Sequence, residues 1–237
     1  MTWWYSMDRS LFITYNTEAI KKCPKLHLGG TSPAYNLASA KVGFPFTMTL
    51  HDYAAFLAIS QTYLESRSMG GPIHCYHLGI TVLMWHSTIW DYIGQFVNAL
   101  CGHPFKESEV TFSQITASDT FKTLPLHHID PIRESTLRHF VRKLRATWRQ
   151  SYTSLQMRHF AAHRFHFANT FAHELDSLIA PNQKHSHANR TVGLRNKIQQ
   201  SFDALIKAQQ QIVSFLEMEE VKQWTPSWLK VIPSSEI

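Results

Sequence analysis

No Cys-x-x-Cys pair occurs in this 237-residue chain, and its three cysteines, Cys23, Cys75 and Cys101, are odd in number. That pattern argues against a disulfide framework and fits a reducing cytoplasm, with the cysteines as small buried hydrophobes. The first residues, Met1-Thr2-Trp3-Trp4-Tyr5, lack the basic stretch and apolar core of a signal peptide. The apolar run over residues 79–85 falls far short of the ~20 residues that span a bilayer. A cytoplasmic protein with no membrane partner is expected. No alternating strand pattern of useful length, internal repeat or low-complexity tract is evident.

Acid is also scarce where base is dense. Residues 132–164 carry Arg133, Arg138, Arg142, Lys143, Arg145, Arg149, Arg158 and Arg164 against one acid, Glu134. The rest of a chain of net charge +6 is close to neutral. A concentrated basic stripe points to an anionic partner, nucleic acid first, although such a stripe can also be a solvated helix face.

Hydrophobic residues make up 44% of the chain, enough for a real core. Prolines 24, 33 and 45 and glycines 29, 30 and 43 punctuate residues 1–46, which are expected to form an irregular arm of short helical pieces and loops. Helical periodicity starts at Thr47, with Thr49 as a candidate cap, and stops at Gly70-Gly71-Pro72. A second helix is predicted over residues 73–100, followed by a polar connection over 104–129. Asp130-Pro131 opens a third helix, in which Leu137, Val141, Leu144, Trp148, Leu155 and Ala162 recur near heptad spacing. It is expected to run toward Leu178, with a possible pause at Gln150-Ser151 and a loop holding His185 and His187 beyond it. A last helix is predicted over 191–218, and an irregular tail over 221–237. The expected fold is all-α: an antiparallel bundle of four to five long helices over residues 47–220, with irregular extensions at both ends.

Within the third helix stands Arg158-His159-Phe160-Ala161-Ala162-His163. Arginine grips phosphate bidentately, and histidine moves protons near neutral pH. An arginine, a polar residue and a following histidine on a long helix, behind a helix with a broad apolar face (residues 76–99), resemble the signature of HEPN domains. The general look is that of abortive-infection and toxin-like members, and the resemblance covers residues 47–216. Arg133 and His139 fit the spacing only loosely. Arg195-Asn196-Lys197 starts like the motif, but no histidine follows.

The resemblance implies a metal-independent endoribonuclease acting as a toxin or phage-defence effector. It would need no cofactor, and its partners would be RNA and a second copy of the chain, with an antitoxin protein as a further candidate. Arg158 would bind phosphate and stabilise charge, His163 would act as general base or acid, and His159 would orient the arginine or the phosphate. Arg145, Arg149 and Arg164 are the candidate substrate contacts. The tyrosine that is nucleotidylated in some members is Phe165 here, so that mode of control is not expected.

Two other readings compete. One is a non-catalytic HEPN-like module that binds RNA or nucleotide. The other is a helical bundle holding zinc or iron, since His159, His163 and His166 fall at metal-ligand spacing, with His173 nearby and His74-Cys75-Tyr76-His77 opening the upstream helix. Asp91 is either an inward acid that pairs with the motif or a half-exposed helix residue. Trp148 and Phe160 are expected to pack in the core.

Overall fold

A computed structural model describes residues 7–30, 32–66, 71–124, 126, 131–164 and 187–222; the side chains of 71–73, 118–120, 152–164 and 187 lie outside that description. The described residues are helical with no strand, as an all-α fold requires. The chain packs as two compact units. One draws on Met1–Cys23, Thr47–Ser87 and Arg149–Ala204; the other on Pro24–Phe46, Thr88–Trp148 and Leu205–Ile237. The long helices contribute to both units.

The expected irregular arm is instead opened by a regular helix, α1 (Arg9–Lys22). Asp8 caps it: the carboxylate accepts from the backbone N–H of Ser10 at 2.8 Å and of Leu11 at 3.4 Å. The Ser10 hydroxyl and these amides hold the Asp8 carboxyl below its ordinary range. After a 3-10 turn (Lys25–Leu28), α2 (Pro33–Ala38) starts with Pro33 in its first turn and the Ser32 hydroxyl accepting from Tyr35 N–H.

α2 passes through a π-helical turn (Ser39–Gly43) straight into α3 (Phe44–Ser66). Pro45 lacks an N–H and its ring clashes with the carbonyl four residues back, so widening the turn just before it lets the helix continue. Thr49 is therefore buried inside α3 and caps nothing.

α4 spans Gly71–Leu100. Gly102, at φ 80°, follows it, with Gly102 N–H on the Ala99 carbonyl and His103 N–H on that of Asn98. The expected polar connection folds into two short helices, α5 (Phe112–Ile115) and α6 (Ser118–Thr123). α7 (Pro131–Arg164) passes through Gln150-Ser151 without a break. α8 (His187–Leu216) begins at His187, which was expected in a loop, and α9 (Glu219–Lys222) is a single turn.

In the first unit, Leu11, Phe12 and Tyr15 of α1 lie on a core that includes Ala55, Ile59 and Cys75. Gly79 of α4 sits where a Cβ would come within 2.8 Å of Leu194 and 3.0 Å of Phe56, so its lack of a side chain sets how closely the helices approach. In the second unit, Trp90, Phe112 and Trp148 make tilted ring contacts, with centroids 4.8 and 5.8 Å apart. Asp91 is half-buried and accepts from Phe112 N–H at 3.4 Å. It thus meets the start of α5 rather than projecting freely.

Candidate functional site

The acid–base imbalance of α7 is resolved unevenly. Glu134 is held by Arg138, whose Nε and Nη2 each lie 2.7 Å from its carboxylate. The same guanidinium donates from Nη1 to the Phe121 carbonyl at 2.6 Å and lies over the Phe121 ring, 5.5 Å from its centroid. Arg145 is half-buried and donates to the Thr116 carbonyl, which ties it to the turn after α5. Both arginines are thus engaged in packing.

Three further cations face water. Leu137, Phe140, Val141 and Leu144 turn into the core, whereas Arg142, Lys143 and Arg149 are exposed. Lys143 and Arg149 have no ion-pair partner among the described residues. Arg158, His159, His163 and Arg164 continue the same helix, but their side chains lie outside the described residues, as do His166, His173 and Phe160.

A cleft of about 770 Å³ lies in the second unit between α7 and α8. His139, Arg142 and Lys143 enter it from α7, and Lys207, Gln210 and Gln211 from α8. Phe140 and Phe215, stacked 4.1 Å apart and 12° from parallel, close its floor. Gln211 is oriented by Thr147: its Nε2 donates to the Thr147 hydroxyl at 3.0 Å, and that hydroxyl can donate back to Oε1 at 3.3 Å. No carboxylate is among the described residues that line the cleft. The arrangement suits an anion: fixed cations on both walls and neutral amides and hydroxyls between them.

Sequence reasoning missed Lys207, Gln210 and Gln211 because each belongs to the polar side of an ordinary amphipathic helix. Only their pairing with His139 and Arg142 gives them a chemical setting. His86 was missed too. It is fully buried, its Nδ1 lies 3.1 Å from the Ser201 hydroxyl, and its Nε2 has no hydrogen-bond partner among the described residues. Burial pushes the imidazole down to about 3. It is therefore neutral near pH 7.

His74 and His77 do share a surface. With Asp52 and Thr81 they line a smaller pocket of about 260 Å³. Among the described residues, no three His, Cys, Asp or Glu side chains are grouped as metal ligands. The sequence cluster around Cys75 therefore does not assemble one, and Cys75 itself is buried, with its thiol pushed up to about 12 by desolvation. Also among the described residues, no helix is long and apolar enough to cross a membrane. Comparison with known protein families, with curated proteins and with solved structures finds no match to this chain.

Proposed function

We propose that this chain binds RNA along α7 and cleaves it without a metal, as a toxin or phage-defence effector working as a homodimer. The observation that carries the reading is the electrostatics of α7. Its one acid is consumed by Arg138, which leaves Arg142, Lys143 and Arg149 exposed on the helix that goes on to carry Arg158, His159 and His163. A helix so charged attracts a polyanion, and the motif brings acid–base groups to it.

In the proposed reaction the ribose 2′-hydroxyl attacks the adjacent phosphorus. His163 of one subunit accepts its proton, and Arg158 holds the charge that builds on the non-bridging oxygens. The 2′-oxygen–phosphorus bond forms as the bond to the 5′-oxygen breaks. A second imidazole protonates the leaving oxygen, giving a 2′,3′-cyclic phosphate and a 5′-hydroxyl. Arg158 and His163 lie about 140° apart around an ideal helix, whereas His159 and His163 are neighbours. One helix thus presents the groups imperfectly, and a symmetry-related copy would complete the site. Arg149 and Arg164 would hold flanking phosphates; Arg145 would help only if its bond to Thr116 were exchanged.

The test is cleavage of labelled RNA in EDTA. Loss of cleavage in Arg158→Ala and in His163→Ala, with the helical signal intact, is the expected result. Cleavage that survives both substitutions places the chemistry elsewhere. RNA binding without turnover in the unaltered protein would make this a non-catalytic RNA-binding module, a reading that the exposed cations of α7 also favour.

A further inference from the structure

We propose that the cleft between α7 and α8 is a binding site for a ribonucleotide phosphate, distinct from the Arg158 and His163 motif. Three fixed cations, Arg142, Lys143 and Lys207, line it from two helices, and Arg142 keeps its two terminal nitrogens for a ligand while its Nε donates to the Arg138 carbonyl at 3.3 Å. Like charges gathered in one concavity repel one another, and no lining carboxylate among the described residues offsets them. A bound anion would remove that repulsion. Arginine offers a fork to two phosphate oxygens, and each lysine offers a compact point charge.

The neutral lining suits what a phosphate ester carries. The cleft's volume of about 770 Å³ lies in the range of pockets that hold small ligands. Ser135, Thr136 and Ser214 bring hydroxyls suited to a ribose. The Gln210 amide is exposed and has no hydrogen-bond partner among the described residues, so both its donor and its acceptor are open to a base edge. Gln211 offers a second amide already held in place by Thr147. The Phe140–Phe215 floor is apolar and well packed, so the ligand meets a firm base rather than a collapsible one. His139 stands one helical turn before Lys143 and adds a further nitrogen donor at the rim.

The motif at Arg158 lies about four helical turns further along α7 than Lys143. Binding in the cleft therefore does not depend on whether the motif cuts RNA. The nucleotide phosphate could be free or part of an RNA strand; the cations and amides meet the same group in either case.

The experiment uses the full chain and two probes, adenosine monophosphate by calorimetry and a short fluorescent oligoribonucleotide by anisotropy. Wild type is expected to bind at least one of them. In Lys143→Glu/Lys207→Glu, affinity should fall about tenfold or more, and the slope of log affinity against log salt should flatten by about one unit per lysine removed. Lys207→Gln should weaken binding less than Lys207→Glu. Both lysines are exposed, so the thermal midpoint should hold, and Gln210→Ala supplies a variant that leaves the charge untouched. Binding of the mononucleotide identifies a free nucleotide as a sufficient ligand; binding of the oligomer alone identifies an RNA phosphate. Failure of wild type to bind either probe, or equal binding by the double reversal, would overturn the site. The two proposals fail separately: Arg158→Ala should abolish cleavage and spare cleft binding, whereas Lys207→Glu and Gln210→Ala, which lie outside the α7 stripe, should weaken cleft binding and spare cleavage of a short substrate.

Discussion

His86 Nδ1 stands 3.1 Å from Ser201 Oγ, with neither residue exposed to solvent. The imidazole is also flanked by Tyr53 and Phe202, which stack on each other 3.9 Å apart. Among the described residues, Nε2 has no hydrogen-bond partner to take up a second proton's charge. His86 is thus an acid-sensitive element of the fold. Its pKa in the folded chain is about 3, against an ordinary 6.5, so protonation favours the unfolded state. Its contribution is fully present above pH 6.5 and is lost as pH falls toward 3, at up to about 1.4 kcal/mol per pH unit. Urea unfolding at pH 7.5 and at pH 5 should show a smaller pH-dependent loss for His86→Phe than for wild type. Equal losses would mean that other groups set the acid response.

Two glycines of α4 should respond differently to the same added methyl group. At Gly94 a Cβ would lie 2.6 Å from the backbone nitrogen of Phe112, and backbone cannot step aside. At Gly79 the nearest atom is the tip of the Leu194 side chain. Gly94→Ala should cost about 1–3 kcal/mol, within the usual range for overpacking, and Gly79→Ala distinctly less. Denaturant midpoints rank the two; the reverse order would contradict the packing described.

Arg195 fastens α1 from within the first unit. Its Nη2 donates to the Tyr15 hydroxyl at 2.8 Å and its Nη1 to Gln61 Oε1 at 2.7 Å, and the guanidinium lies over the Tyr15 ring. Hydrogen bonds from a charged group are worth about 1.5–3 kcal/mol each, so Arg195→Ala should lose about that much stability or more. Hydrogen exchange should rise most within Arg9–Lys22. Unchanged protection there would show that α1 is held by its apolar face alone.

The three thiols should be poor nucleophiles in the native state. Desolvation pushes Cys23 up to about 11 and Cys75 and Cys101 up to about 12. Iodoacetamide at pH 8 should label none of them quickly in the folded protein and all of them in denaturant. Rapid native labelling of Cys75 or Cys101 would show that the helices around it open readily.

The long helices could be read in advance because each carries enough apolar residues at helical spacing to reveal its buried face. α1 could not, because Leu11, Phe12, Tyr15 and Ala19 are interleaved with polar residues and the nearby prolines suggested loops; Asp8 was the overlooked start signal. Gly43 and Pro45 suggested a break, yet the helix continues through a π turn there. The sequence marked Arg142 as part of the basic stripe and His139 only as a loose match to Arg133. It gave no sign that Lys207 lies across from them, because which helices pair is not written in either helix alone. His86 escaped notice among more conspicuous histidine clusters.

Arg138 absorbs the solitary glutamate of α7, and Lys143 and Arg149 have no ion-pair partner among the described residues, so dissolved ions neutralise those two. Electrolyte should then act in opposite directions on this protein. Counterions that relieve crowding among like charges would firm the native state, while the same ions would compete away the RNA strand proposed to bind there. On the proposed reading, such a chain would be sturdiest in the brine where it grips RNA least.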